Sequence, residues 1–163
     1  VNEFSSFARM PSPVFKNIEV GTIVKKAIDF YKMSSLNEIS LKPSNKKLTI
    51  SGDEEQLYRV FLNLIKNSEE SILEKSQKNQ DFKGKISIEI KENSSYITVT
   101  QIDNGIGIVD TSKIMTPYFT TKKDGTGLGL PIVSKIINEH AGEITIKNNK
   151  PGVKIEILFK KIK

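Results

Sequence analysis

The sequence predicts an α/β fold, a two-layer sandwich in which helices cover one face of a mixed, largely antiparallel sheet. Three observations carry that expectation. The segments KISIEI, SYITVTQI, GEITIK and VKIEILF alternate apolar and polar residues at the period of two that half-buried strands require. Residues 18–33, 53–76 and 128–140 instead place apolar side chains at three-to-four spacing, the period of a helix with one buried stripe. A chain of 163 residues can bury one normal core and hardly two, so both sets belong to a single domain.

The elements follow in order. VNEFSSFARM at 1–10 puts Phe4 and Phe7 on one helical face, and Pro11 and Pro13 end it. Those aromatics either pack back on the domain or belong against a partner outside this chain. A short edge strand then leads into a helix carrying Val24, Ala27, Ile28 and Tyr31, and strands follow near 37–42 and 47–51. Asp53 caps the central helix, with Gln56 at the third helical position of a capping box. Leu57, Val60, Phe61, Leu64, Ile65 and Ile72 form its apolar face, and QKNQDFKG at 77–84 is a polar loop. No internal repeat or low-complexity tract competes with this layout.

Composition excludes several classes. The chain is 37% hydrophobic and 27% charged, as soluble domains are, and no apolar run approaches the roughly 18 residues of a membrane span. Its first residues lack the basic-then-apolar order of a signal peptide, so a cytoplasmic domain is expected. Without cysteine there are no disulfides and no thiol catalysis, and a single histidine leaves zinc without its usual ligands. The net charge of +6 comes from scattered lysine pairs at 25–26, 46–47, 122–123 and 160–161, not from one basic helix, so no nucleic-acid partner is expected.

Chemistry concentrates in three places. Gly125, Gly127 and Gly129 precede the helix bearing Ile132, Val133, Ile136 and Ile137, so backbone N–H groups and a helix dipole would favour an anion, phosphate above all. The Walker pattern is absent, and the glycines lie too late for a dinucleotide fold. Asn63 and Asn67 share one face of the central helix with Arg59 and Glu70. Their amide oxygens are hard neutral ligands suited to magnesium, or members of an exposed polar stripe. Asp103 ends a strand before Asn104, Gly105, Ile106 and Gly107, where a carboxylate accepts the exocyclic amine of adenine or simply closes an Asx turn.

Four segments in order, NLIKNSEES at 63–71, DNGIGI at 103–108, TPYFTTK at 116–122 and GTGLGLPIV at 125–133, resemble the N box, first glycine box, phenylalanine box and second glycine box of bacterial sensor histidine kinases. The chain is thereby identified as a member of the GHKL superfamily with a Bergerat-type ATP-binding fold, most similar to NtrY-type nitrogen-regulation sensor kinases. The resemblance implies ATP and Mg2+ as cofactors. It implies Asn67 as principal magnesium ligand with Asn63 assisting, Asp103 reading adenine, and Gly105 and Gly107 shaping the base pocket. Phe119 anchors a movable lid between Gly107 and Gly125, and Lys122 contacts phosphate or orients the lid. Gly125, Thr126, Gly127, Leu128 and Gly129 cradle the phosphates.

The family transfers the γ-phosphoryl group of ATP to a histidine on a dimerisation domain, from which a response regulator takes it. The resemblance divides the chain into the end of a dimerisation helix with its linker, 1–14, and the catalytic and ATP-binding domain, 15–163. The acceptor histidine lies elsewhere in the parent protein, which implies a monomeric fragment of a homodimeric parent with a place in the bacterial inner membrane. His140, in EHAG, is expected at a helix end followed by a glycine cap. Related ATPases carry a glutamate four residues before the magnesium asparagine as general base; Asn63 stands there, which argues against hydrolysis. A nucleotide-responsive interaction module without transfer is the non-enzymatic alternative. Ser68 departs from the family's usual alanine, and PGVKIEILF is a reduced closing motif that weakens any nucleotide role for Gly152.

Overall fold

The computed structural model describes residues 10–108 and 129–162. In chain order the elements are β1 (Lys16–Glu19), α1 (Val20–Lys32), β2 (Glu38–Lys42), β3 (Thr49–Gly52), α2 (Glu54–Lys78), β4 (Lys85–Glu92), β5 (Tyr96–Asp103), α3 (Gly129–Glu139), β6 (Glu143–Asn148) and β7 (Val153–Lys160). Five strands form the main sheet in the order β2-β4-β5-β7-β6. β2 runs parallel to β4, and every other pairing is antiparallel, as a mixed sheet requires.

Strand alternation decides what faces the helices. Ile86, Ile88 and Ile90 of β4, Ile97 and Val99 of β5, and Ile155, Ile157 and Phe159 of β7 point inward and are buried under Val24, Ile28, Phe61, Leu64, Ile65, Ile132, Val133 and Ile136 of the helices. The alternate residues, such as Glu89, Lys91 and Glu156, face away and form ion pairs at the surface. Because the same register governs all of β5, it also drives two polar side chains inward: Gln101 and Asp103 are each 3% exposed.

Three local details differ from the sequence expectation. β1 does not edge the main sheet; it pairs with β3, Ile18 opposite Ile50, in a separate two-stranded ribbon. That ribbon packs at the end of the helical layer, where Gly52 lies against Ile18, Leu57 and His140.

The capping box is only half formed. Asp53 accepts the Gln56 N–H at 3.1 Å, but the Gln56 side chain donates to Pro11 O at 3.0 Å instead of returning to Asp53. The Asp53 N–H goes to His140 Nε2 at 2.9 Å, while Nδ1 lies 2.8 Å from Ile136 O. A carbonyl only accepts, so Nδ1 carries the proton and Nε2 is the acceptor, which fixes the neutral tautomer.

His140 is thus buried as expected, but the cap beyond it is not glycine in the left-handed position. Ala141 takes it, with φ 55°, and Gly142 follows, its N–H reaching Ile137 O at 2.9 Å while Ala141 N–H reaches Asn138 O at 3.0 Å. This is a Schellman closure with alanine at the strained residue. Glycine sits one place later because a Cβ there would lie 2.7 Å from Leu158 O.

Residues 11–15 are tied to the same corner. Val14 N–H donates to Asp53 Oδ2 at 2.8 Å, and the Phe15 ring meets His140 edge-on at 5.1 Å. Burial pushes the Asp53 carboxyl up, but the N–H groups of Val14, Gln56 and Glu55 outweigh it and hold it below the usual range.

Candidate nucleotide site

One stripe of α2 faces the end of β5. Leu64, Ser68, Ser71 and Lys75 recur at three-to-four spacing, and each touches the strand end or the loop after it. Gln101 Nε2 donates to Leu64 O at 2.9 Å and to Ser68 Oγ at 2.8 Å. Ser68 Oγ donates to Asp103 Oδ2 at 2.7 Å. Ser71 Oγ accepts the Ile106 N–H at 3.0 Å, and Lys75 Nζ donates to Asn104 O at 3.1 Å.

Asp103 is the centre of this arrangement. Its Oδ1 accepts the Gly105 N–H at 2.9 Å, so the Asx turn is real, while Oδ2 looks across to α2. Burial raises the carboxyl above its ordinary value, against the opposing pull of the Ser68 hydroxyl, the N–H groups of Gly105 and Val153, and the more distant Lys75 ammonium. An ionised carboxylate offers about four lone-pair sites. Ser68 and Gly105 occupy two of them, which leaves room for an external donor.

The loop after Asp103 is fitted tightly to its neighbours. A Cβ on Gly105 would lie 2.2 Å from Ser71 Oγ and 2.8 Å from the Ser71 backbone carbon, so only glycine lets the loop reach α2. Asn148 at the end of β6 clamps the loop from the other side, its amide exchanging two 2.7 Å hydrogen bonds with Ile108 N–H and Ile108 O. Gly152, at φ 92°, lies against the Asp103 and Asn104 backbone, where a Cβ would stand 1.9 Å from Asp103 O. Its tight constraint is therefore the joint between β7 and the Asp103 strand.

A cleft of about 460 Å³ opens between Gly105–Ile108 and the β6–β7 turn, with Lys75 and Lys150 on its rim. Neither Asp103 nor Asn63 nor Asn67 lines it, so it borders the carboxylate without containing it. Asn63 and Asn67 stand half-buried on α2, and Asn67 is the residue before Ser68. Gly129 opens α3, and among the described residues nothing lies within 4 Å of where its Cβ would be. Phe119, Lys122, Gly125, Thr126, Gly127 and Leu128, and the expected lid, lie outside the described residues.

The structure thus brings the asparagine helix and the first glycine segment together, through Ser68 and Asp103. It adds Ser71, Lys75, Gln101 and Asn148, which sequence reasoning did not single out. Two signals pointed to the first three, a polar stripe through 68, 71 and 75 and a glutamine at a buried parity of a strand, while nothing local marked Asn148.

A one-sided α/β sandwich with an inward carboxylate at a strand end, held by the central helix, defines a nucleotide-binding domain. The chain belongs to the histidine kinase-, DNA gyrase B- and HSP90-like ATPase family, whose model matches residues 52–162. It is 36% identical to an NtrY-like sensor histidine kinase of Rickettsia prowazekii over 98% of this chain, and 30% identical to the nitrogen regulation protein NtrY of Azorhizobium caulinodans over 93%. It spans 26% and 20% of those proteins, about a quarter of the first and a fifth of the second. Among solved structures, the catalytic domain of the histidine kinase ThkA superposes with a TM-score of 0.78 at 27% identity, covering 91% of this chain and 96% of that one. Among the described residues no helix is long and apolar enough to cross a membrane.

Proposed function

We propose that this chain is the ATP-binding catalytic domain of a sensor histidine kinase, which presents the γ-phosphoryl group of ATP to a histidine on a dimerisation domain of the same parent, for passage to a response regulator. The observation that carries this reading is the 2.7 Å hydrogen bond between Ser68 and Asp103, which sets the adenine-reading carboxylate one residue from Asn67. Residues 1–14 form the end of a dimerisation helix and its linker, and residues 15–163 the catalytic domain, in the cytoplasm. The fragment is monomeric and its parent homodimeric, with membrane attachment elsewhere in the parent.

Asp103 accepts one hydrogen of the adenine amine through a lone-pair site that Ser68 and Gly105 leave open and repels the carbonyl that guanine presents there. Gly105 and Gly107 let the base lie close to the backbone. Gly125, Thr126, Gly127, Leu128 and Gly129 donate to the phosphates, with Lys122 beside them and Phe119 anchoring the lid.

The donor chemistry fits magnesium: Asn67 and Asn63 supply neutral amide oxygens, and among the described residues no cluster of three or more His, Cys, Asp or Glu competes as a metal cage. Bound there, magnesium would neutralise phosphate charge during transfer. Asn63 cannot act as a general base toward water, whereas a neutral imidazole acceptor needs none, which favours transfer over hydrolysis.

The test is titration calorimetry with a non-hydrolysable ATP analogue, with and without magnesium and beside the GTP analogue, followed by a transfer assay with the histidine-bearing domain. Adenine-selective, magnesium-dependent binding and phosphohistidine on the supplied domain are expected. Absence of binding by folded protein would refute the nucleotide reading; binding without transfer in an assembled complex would favour a nucleotide-responsive interaction module.

A further inference from the structure

Ser68 is placed to act on ligand selection without touching the ligand. Its Oγ is buried, 2% exposed, and sits between two polar partners in a layer otherwise built of Leu64, Ile65 and Ile72. The direction of its proton is decided by a neighbour. The Leu64 carbonyl can only accept, so the Gln101 amide must turn Nε2 toward it, and the same Nε2 then also donates to Ser68 Oγ. Turning the amide over would set Gln101 Oε1 against the Leu64 carbonyl, two acceptors with no proton between them. With one lone pair engaged by Gln101, the Ser68 hydroxyl points its only proton at Asp103 Oδ2, 2.7 Å away. A directed chain therefore runs from Gln101 through Ser68 to Asp103.

That chain fixes what Asp103 offers. A carboxylate held at Oδ1 by Gly105 alone could rotate and share its acceptor sites in several ways. The hydroxyl at Oδ2 stops the rotation and favours the acceptor-only, ionised form that a buried position otherwise opposes. We propose that Ser68 is a positioning residue for nucleobase selection: its hydroxyl, oriented by Gln101, holds Asp103 in the one geometry that rewards a base carrying an exocyclic amine. The proposal rests on the assignment of Asp103 to adenine made above.

The test pairs a protein change with a ligand change. Ser68→Ala removes the hydroxyl with a strong helix former, so α2 is retained. Calorimetry on the full chain would compare a non-hydrolysable ATP analogue with the corresponding purine riboside analogue, which lacks only the 6-amino group. The wild-type chain should prefer the ATP analogue, and S68A should lose roughly tenfold affinity for it while keeping its affinity for the purine analogue within about twofold, since a hydrogen bond to a charged group is being removed.

Gln101→Met, which removes the orienting donor at similar volume, should shift selectivity the same way by a smaller factor, and provides the readout if S68A proves unstable. Equal losses for both ligands in S68A, or unchanged selectivity in both variants, would overturn the positioning role while leaving Asp103 intact. A wild-type chain that binds both ligands alike would overturn the Asp103 assignment itself and this inference with it.

Discussion

Replacing Gly152 by alanine tests the joint that holds Asp103 in place. The backbone there is at φ 92°, where a side chain costs about 1–2 kcal/mol. The added Cβ meets Asp103 O at 1.9 Å, Asp103 C at 2.6 Å and Asn104 Cα at 2.9 Å, all backbone atoms that no rotamer change can move aside. Relief requires the ends of β5 and β7 to part, which disrupts the pairing of Asp103 with Val153 at the ladder's end and adds roughly 1–3 kcal/mol. The total is about 2–5 kcal/mol, a large part of the stability of a domain this size. Urea denaturation measures it: at slopes of about 1–3 kcal/mol/M the midpoint should fall by at least ~0.7 M. The control is Gly129→Ala, where a Cβ meets nothing within 4 Å among the described residues and the residue begins α3. That variant should keep or slightly gain stability. Midpoints for the two variants within ~0.3 M of each other would refute the account of the joint.

Further outcomes follow from the caps and the carboxylates. Asp53→Ala removes the cap of α2 and the anchor of Val14, and should cost roughly 0.5–2 kcal/mol at pH 7. Because the folded state holds this carboxyl below its ordinary 3.8, its contribution is present above that value and fades as pH falls through the lower one, so the deficit of D53A should shrink in acid; a deficit independent of pH would contradict the assignment. Ala141→Gly relieves the left-handed residue at the end of α3 and should raise the thermal midpoint, with a net gain of up to about 1 kcal/mol; a loss would show that the φ of 55° is unstrained. Asp103 has the opposite sign to Asp53. Its folded carboxyl is raised, so its stabilising contribution is complete below 3.8 and lost as pH rises through the higher value. Asp103→Asn should therefore gain stability relative to the parent as pH rises above about 4, and a flat difference would refute the burial argument.

The layer architecture was legible because its signals are periodic. Ile86, Ile88 and Ile90 alternate, and Leu57, Val60, Phe61, Leu64 and Ile65 recur on a helical stripe, so each segment declared its buried face. Asp103 was legible only in company: its turn alone is an ordinary Asx turn, and the asparagine face of α2 and the second glycine segment gave it a functional reading. What escaped was decided by distant partners. The Asp53 N–H takes His140, 87 residues away, in place of Gln56, and no local pattern states that choice. The pairing of β1 with β3 escaped for the same reason, since four-residue strands carry too little alternation to name their neighbour. The left-handed residue beyond α3 was misplaced by one position because Gly142 answers to the Leu158 carbonyl, a tertiary demand stronger than the cap's own preference.

The corner where Asp53, His140 and Phe15 meet also bears on the order in which the chain can assemble. Its contacts close loops of 39, 45 and 87 residues, so each waits on large losses of chain freedom before it returns anything. The Phe15 ring has no seat until His140 is buried, and His140 is buried only when the end of α3 has docked on α2. The segment around Pro11 and Val14 should therefore lock last and release first. Its backbone amides would exchange with solvent ahead of the sheet, and a protease would find this stretch before any other part of the corner.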